Sequence, residues 1–385
     1  MLIKQLRLKD SSVERFDKIP FEADLILLFI SKKTEDLSQL MRGLKVAQPK
    51  AVIAGCSTPG VIHKVRVYDN SIGLTAIKFE KTRVEKKVVQ FSEIEHSFAV
   101  GQHLGSQFDS KDLRHLLVFS GGLDVNADKF LKGLSSRLDC GVSISGGLAG
   151  DVDNFNLAGE ELDDDNETYA VTESIGFRNT ITAIGLYGKH LQVSFSTSHG
   201  WRPFGMNRIV TKAENNILYE IDNQPALDLI RSFMGPRVDS LMGSALQFPI
   251  GLEKYEDDAY LVRSIVDINE DDQSLIFAGN IPEGSVVRLL KARYDDLVES
   301  AENSARRLKE LSKGKPELAL IVSGVGRKMV LKQMADVEIE TVQKVVGSKT
   351  AIAGFYGYGE FMTSYRSGPC RLYNQSLTIT KFKEN

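Results

Sequence analysis

Three times along the chain, an apolar run is followed by a helix-like segment and then by a second apolar run that ends among glycines. In the first instance, the apolar runs at residues 24–30 and 51–62 enclose a predicted helix over 34–43. Thr34 can cap that helix, because a threonine hydroxyl accepts a hydrogen bond from one of the free backbone N–H groups. This order of strand, helix and strand predicts a βαβ unit with two parallel strands.

The same arrangement returns twice. The second unit has a strand at 115–122 and a helix that begins near Asp124, and the third has a strand at 318–324 and a helix across 330–346. Both of these first strands end in Ser-Gly. A strand that ends in this way before a helix either points backbone N–H groups at an anion or makes only a tight connection.

The third unit ends in the most distinctive stretch of the chain, residues 350–361. In outline it repeats residues 51–62, since both contain Ile-Ala-Gly and then a turn closed by another glycine. Closely spaced glycines allow positive φ angles and the close approach of other groups. We therefore interpret the stretch as part of a binding site. It contains three glycines, two tyrosines and one acid, namely Gly354, Tyr356, Gly357, Tyr358, Gly359 and Glu360.

The segments between these units alternate in the manner of antiparallel strands. Residues 71–79 and 83–91 are predicted to form a hairpin, and residues 372–382 a single strand. The predicted fold class is α/β, with two related halves whose mixed parallel and antiparallel sheets are flanked by helices. A turn-like segment after residue 200 marks the predicted border, which gives an N-terminal half over 1–207 and a C-terminal half over 208–385.

Composition and net charge argue against several classes of partner and site. The chain has 385 residues, of which 42% are hydrophobic and 26% charged, and its net charge is −3, so neither nucleic acid nor an anionic membrane is an expected partner. No apolar run approaches the roughly 20 residues that would span a bilayer. Cysteine usage fits reduced thiols, and we expect a cytoplasmic protein. The cysteines are odd in number and lack the spacing of a metal site, and they are Cys56, Cys140 and Cys370.

Motifs through nearly the whole chain resemble those of FIST domain proteins, bacterial sensory modules with an N half and a C half. In the N half the matching motifs are Ile53-Ala-Gly-Cys-Ser-Thr-Pro-Gly60, Ser145-Gly-Gly-Leu-Ala-Gly-Asp151 and Gly200-Trp-Arg-Pro-Phe-Gly205. In the C half they are Asn223-Gln-Pro-Ala-Leu227, Phe248-Pro-Ile-Gly251, Ile281-Pro-Glu-Gly-Ser285, Gly326-Arg327, Gly354-Phe-Tyr-Gly-Tyr-Gly-Glu360 and Asn374-Gln-Ser-Leu-Thr378. One departure is Ser323-Gly-Val-Gly-Arg327, where a cysteine commonly follows the serine.

The resemblance implies small-molecule sensing, with amino-acid-like ligands proposed for the family. Its members are often partners of histidine kinases, cyclic-di-nucleotide enzymes or chemotaxis receptors. A free-standing subgroup binds haem, senses nitric oxide and controls a separate kinase. We therefore expect a sensor rather than an enzyme, with haem b as cofactor, nitric oxide as signal and a histidine kinase as partner. The alternatives are a haem-free sensor of an amino-acid-like molecule and a thiol-dependent hydrolase or transferase. A homodimer is possible.

Several residues near the predicted border could hold a haem. His199 is the expected iron ligand, because a histidine in an apolar pocket can bind haem iron and leave the opposite face open to a gas. Trp201, with Tyr356 and Tyr358, could flank the porphyrin, and Arg202 could meet a propionate. The plainer interpretation is a histidine hydrogen-bonded within a turn. The other histidines are rival ligands, and they are His63, His96, His103, His115 and His190.

Other candidates concern a ligand without haem. Arg327 and Glu360 could grip the carboxylate and amino groups of a zwitterion, although an internal ion pair is an equal alternative. Cys56 and the adjacent Ser57 are expected at the edge of the same cavity. Cys56 is also the nucleophile of the enzyme alternative, but a small buried cysteine is the simpler interpretation because no base lies beside it in the sequence. Asp151 either belongs to the site or caps the element that follows.

Overall fold

The computed structural model describes residues 1–9, 13–31, 37–91, 93–151, 168–172, 179–234, 246–255, 258–311, 317–364 and 368–385. The helices are α1 Leu37–Ala47, α2 Ser97–Ser106, α3 Ala127–Ser135, α4 Ala226–Met234, α5 Tyr294–Leu311, α6 Val325–Leu331 and α7 Ala335–Val346. Short 3-10 turns lie at Val13–Lys18, Ile94–His96 and Lys332–Met334.

The strands make up four sheets. From the N-terminus they are β1 Leu2–Leu8, β2 Leu25–Ile30, β3 Val52–Ser57, β4 Val61–His63, β5 Arg66–Tyr68, β6 Ile72–Lys78, β7 Arg83–Gln90, β8 Leu113–Ser120, β9 Ser143–Leu148, β10 Thr180–Tyr187, β11 Leu191–Ser198 and β12 Arg202–Glu214. They continue with β13 Ile217–Ile221, β14 Gln224–Pro225, β15 Ile250–Tyr255, β16 Asp258–Arg263, β17 Ile265–Asn269, β18 Ser274–Phe277, β19 Val286–Lys291, β20 Leu318–Gly324, β21 Ala351–Gly357, β22 Gly359–Thr363, β23 Cys370–Tyr373 and β24 Leu377–Glu384.

Three of the sheets are built on the predicted βαβ units, which confirms all three units and the α/β fold class with mixed sheets. In each unit, two parallel strands are joined by a helical connection, and two antiparallel strands extend the sheet on the side of the first strand. The strand orders are β1-β6-β2-β3 in the first unit, β7-β10-β8-β9 in the second and β11-β24-β20-β21 in the third.

A glycine stands at the same register position in the second parallel strand of every unit. A Cβ atom at any of the three would lie 1.9 Å from a carbonyl oxygen of the neighbouring strand, so only glycine fits there. This close approach is the physical reason for the repeated glycine motif in the sequence. The glycines are Gly55, Gly146 and Gly354, and the facing carbonyls belong to Leu28, Val118 and Ile321.

Strand exchange joins the units into a ring. The hairpin β4–β5, which follows the first unit's second strand, pairs with β21 of the third unit. The hairpin β22–β23, which follows the third unit, pairs with β9 of the second. Residues 168–172, which follow the second unit, pair with β3 of the first, where Cys56 bridges Ala170.

The ring encloses one shared core. Phe29, Phe119 and Phe355 come from the first, second and third units, and their ring centroids lie 4.9 to 6.0 Å apart. Helices cover the outer faces, with α1 on the first unit, α2 and α3 on the second, and α5 and α7 on the third. The fourth sheet is antiparallel, in the order β16-β15-β19-β12-β13-β18-β17 with β14 beside β13, and α4 packs against it.

Three predictions of local structure are wrong. The predicted hairpin at 71–79 and 83–91 does not form, because β6 and β7 pair into different sheets. The predicted strand at 372–382 is broken into β23 and β24 at Gln375, whose φ is 58°. The predicted helix at 330–346 is divided near Lys332, whose φ is 50°.

The predicted border at 207/208 stays a prediction, since β12 runs through it and sheets contain strands from both sides of it. The acidic stretch at residues 154–167 and the predicted helix cap Thr34 lie outside the described residues. Among the helices that the structure describes, none has the length and apolar character needed to cross a membrane.

Candidate functional site

The second parallel strands of the three units end at one point inside the ring. A Cβ atom on Gly150 would lie 3.1 Å from both the Gly357 Cα and the Pro59 side chain, so the three strand ends are in contact. The Thr58 hydroxyl joins two of them, donating to the Tyr356 carbonyl at 2.8 Å while the Tyr356 N–H donates back at 3.1 Å. The segments around Cys56 and Tyr356, predicted to share one interior, are therefore neighbours.

Arg327 lies fully buried at the start of α6, and its guanidinium is paired with Glu338 of α7. The Arg327 Nε donates to Glu338 Oε1 at 2.9 Å. The remaining N–H groups donate to the Leu297 carbonyl at 3.0 Å, to the Ser300 hydroxyl at 3.2 Å and to the His199 carbonyl. This is the internal ion pair that the sequence left open, but with Glu338 rather than Glu360 as its partner. The guanidinium has no free edge for a ligand.

The second oxygen of Glu338 is also occupied. It accepts hydrogen bonds from the Tyr356 hydroxyl at 2.9 Å and from the Ser323 hydroxyl at 3.2 Å. Burial raises the pKa of Tyr356 well above its ordinary value, and the nearby Glu338 carboxylate adds to that shift. Tyr356 is thus a neutral hydroxyl that completes the coordination of a buried carboxylate.

Glu360 differs from Glu338 because only one of its two carboxyl oxygens has a hydrogen-bond partner among the described residues. Glu360 Oε2 accepts from the Ser376 N–H at 3.1 Å, whereas the buried Oε1 has no hydrogen-bond partner in the described part of the chain. Burial raises the pKa of Glu360 well above its ordinary value. A buried acceptor without a donor costs free energy, so such an atom in a native fold calls for an explanation.

A narrow pocket, with no room for a water-sized molecule in this structure, lies near this carboxyl group, between the ends of β20 and β21 and residues 264 and 266. A Cβ on Gly324, which lines the pocket, would come within 3.2 Å of Glu360 Oε1, so this oxygen lies close behind the glycine, although Glu360 itself does not line the pocket. The lining residues are Leu246, Ser264, Val266, Gly324, Val325, Gly357, Tyr358 and Gln375.

Gln375 supplies a second unpartnered acceptor at this pocket. Its Nε2 donates to the Leu246 carbonyl at 3.2 Å, while its buried Oε1 has no partner among the residues that the structure describes. The residue holds a left-handed backbone with φ of 58°, a conformation that non-glycine residues adopt at a cost and often at functional positions. Gln375 is not among the site residues predicted from the sequence, although it lies in the motif at 374–378 that carries the family resemblance.

The other predicted residues have mainly packing roles. Tyr358 lines the pocket, and its hydroxyl donates to the Asp151 carbonyl at the ring's centre. The Ser57 hydroxyl accepts from the Tyr169 N–H at 3.0 Å. Cys56 faces the shared core, and burial raises the pKa of its thiol well above the ordinary value. A catalytic cysteine needs the opposite shift, so the geometry gives the thiol-dependent enzyme no support.

The residues around His199 do not fit a haem. The His199 Nδ1 accepts a hydrogen bond from the Trp201 N–H at 2.9 Å, which leaves the imidazole proton on Nε2 and occupies the lone pair that iron would need. The Trp201 indole is buried and donates to the Gln375 carbonyl at 2.9 Å, and Arg202 pairs with Asp296 at 2.7 Å. The described residues contain no group of three or more His, Cys, Asp or Glu side chains that could hold a metal ion.

Comparison with known proteins identifies the family. Residues 24–224 match the FIST N domain and residues 226–363 match the FIST C domain. The chain belongs to the FIST domain family. FIST domains are generally sensory ligand-binding domains of signalling systems. An uncharacterized protein of Methanocaldococcus jannaschii is 23% identical over 325 residues, which are 75% of this chain and 58% of that protein, so the chain spans little more than half of that relative.

Two solved structures of cyanuric acid hydrolase, one from A. caulinodans, align with this FIST protein over 100% of its chain and 99% of theirs. Their sequence identities are 9% and 8%, and their TM-scores are 0.34 and 0.35. Likeness at this level carries no argument about what the FIST protein binds or does.

Proposed function

We propose that this FIST protein is a sensor of a small, amino-acid-like molecule that binds in the pocket beside Glu360 and Gln375. One observation carries the proposal: among the described residues, two buried oxygens near the same pocket, Glu360 Oε1 and Gln375 Oε1, have no hydrogen-bond partner. A ligand with a primary ammonium group would supply hydrogens to both. Its positive charge would also favour the ionised form of Glu360, which burial alone disfavours.

The pocket leaves no room for a water-sized molecule in this structure, so a ligand would have to widen it. The walls combine apolar groups with a few polar ones, as in other small-molecule sites. The protein would act in the cytoplasm, and a separate signalling protein would respond to the bound state, with a histidine kinase as the class that the family resemblance implies.

A thermal-unfolding screen against the standard amino acids and simple primary amines tests the proposal. A ligand at 100 times its dissociation constant stabilises the native protein by about 2.7 kcal/mol. Glu360→Gln removes a charge-assisted hydrogen bond worth about 1.5–3 kcal/mol, so we expect affinity to fall about 10- to 100-fold. Glu299→Gln, on the exposed face of α5, is the control and should bind normally. Stabilisation by no member of the panel, or equal stabilisation of Glu360→Gln, would overturn the proposal.

The haem-based nitric oxide sensor stays a prediction from the resemblance, and the arrangement at His199 does not favour it. A titration with haemin tests it separately. A Soret band that disappears in His199→Ala would support haem binding, whereas a protein that stays colourless with haemin would exclude that role for His199.

A further inference from the structure

An apolar groove runs along the fourth sheet, between α4 and strands β12 and β19. Two adjoining pockets form it, and both are lined by Phe204, Ile230, Phe233 and Leu289. At one end the Phe248 ring packs edge-on against Phe204, with centroids 6.0 Å apart. One wall is therefore a helix face and the other is a strand surface, a shape that suits an inserted amphipathic helix.

The groove and its rim expose large apolar side chains. Met206 and Phe233 are both exposed there. Pairing between β12 and β19 is interrupted from Phe204 to Arg208, so the intervening residues bulge from the sheet at the rim. Contiguous exposed apolar surface of this kind marks interaction sites more often than ordinary surface.

Two basic side chains lie at the rim of the groove, although the whole chain carries a net charge of −3. Arg288 donates to the Gly205 carbonyl at 3.0 Å, and the Lys291 ammonium lies 5.4 Å from the centre of the Phe204 ring. Within the described part of the chain, neither cation has a carboxylate at ion-pair distance. Arg208, by contrast, is neutralised by Asp222 at 2.9 Å.

An acidic group, Glu253, contacts the bulge, where it accepts a hydrogen bond from the Asn207 amide at 2.7 Å. This contact holds the bulge, and Arg288 and Lys291 remain without an acidic partner among the described residues. The complementary surface is thus apolar along its centre and acidic along its flank.

We propose that this groove is the docking surface for an acidic amphipathic helix of the partner that responds to the sensor. Apolar residues of that helix at i, i+3, i+4 and i+7 would enter the groove, and its flanking carboxylates would face Arg288 and Lys291. The inference deepens the proposed function by naming the output surface, but docking itself needs no ligand in the buried pocket.

The position of the groove also connects it to the ligand pocket. Leu246 lines the pocket and holds Gln375 through its carbonyl, and Phe248, two residues later, forms the end of the groove. A ligand that engages Gln375 acts on the segment that shapes the groove. Ligand and helix would then alter each other's affinity to the same degree.

Fluorescence anisotropy with a labelled synthetic peptide tests the docking without any ligand. The probe is a helix-forming peptide with Leu and Phe at i, i+3, i+4 and i+7 and Glu at the flanking positions, and its comparison has Lys in place of Glu. We expect at least about tenfold tighter binding of the Glu peptide, and a reversed preference in the double variant Arg288→Glu, Lys291→Glu. Phe233→Asp should abolish binding.

Phe98→Asp is the matched control, because Phe98 is 37% exposed on α2, close to the 42% of Phe233. It should leave peptide binding unchanged, and circular dichroism would verify that each variant is folded. Equal affinity for both peptides, or binding that survives Phe233→Asp, would overturn the proposal. So would a wild-type dimer that Phe233→Asp converts to a monomer in sedimentation, because the groove would then be covered by a second copy of the chain.

Discussion

The pair Arg327–Glu338 provides the sharpest test of how the candidate site is built. Both side chains have no exposed surface, and every polar group of the pair that could receive a ligand already has an internal partner. Removal of one member leaves the other charge unpaired in the interior, which costs about 3–5 kcal/mol. We therefore expect Arg327→Met to lower the free energy of unfolding by about that amount.

A double-mutant cycle separates the pair from its surroundings. In Arg327→Met combined with Glu338→Leu, no charge is left unpaired, so the double variant should lose less than the sum of the single variants by about 1–3 kcal/mol. Urea unfolding of the wild type and the three variants measures this coupling energy.

The control cycle uses Arg306 and Glu302, an exposed pair on α5 at i and i+4. Its coupling should not exceed about 0.5 kcal/mol. A coupling near zero for Arg327 and Glu338, or a loss below about 1 kcal/mol for Arg327→Met, would refute the reasoning. Arg327 would then be free enough to serve as a ligand-binding group.

Three further predictions follow from burial. The pKa of Glu360 is raised in the folded state, so the stability of the wild type falls as pH rises above the unfolded-state pKa. Urea unfolding should therefore show that the stability of Glu360→Gln relative to the wild type grows by up to about 1.4 kcal/mol per pH unit. Burial lowers the pKa of His115 to about 3, so the stability that its neutral form contributes is lost as pH falls below about 6.5. Between pH 7.5 and 5, the free energy of unfolding of the wild type should fall by about 2 kcal/mol relative to that of His115→Gln. In the native protein a thiol reagent should modify the exposed Cys140 but not the buried Cys56, and equal modification rates would contradict the described core.

Local patterns were sufficient to predict the three βαβ units, because each apolar run belongs to a strand that is buried on both faces. They were not sufficient to predict which strands pair. Strands β6 and β7 follow each other closely and alternate well, yet each finds its partners in a different sheet. The exchange of hairpins between units depends on contacts between residues far apart in sequence, which periodicity does not encode.

For the candidate site, too, some features could be predicted from the sequence and others could not. The glycines and tyrosines of 350–361 lie inside the fold, where the glycines allow close approach of neighbouring strands, and their role in a binding site stays a prediction. The partner of Arg327 was not predictable, because Glu338 reaches it only through the break between α6 and α7. The role of Gln375 depends on a left-handed backbone within a segment whose alternation resembled one continuous strand.

Proton release on ligand binding tests the central claim most directly. Burial raises the pKa of Glu360 in the free protein and so favours its neutral form, whereas an ammonium group bound against Oε1 would favour its ionisation. Calorimetric titration of an amine from the screen, in two buffers of different ionisation enthalpy at neutral pH, measures the protons released. We predict a release approaching one proton for the wild type and none for Glu360→Gln. Binding of equal affinity and without proton release in both proteins would contradict the account.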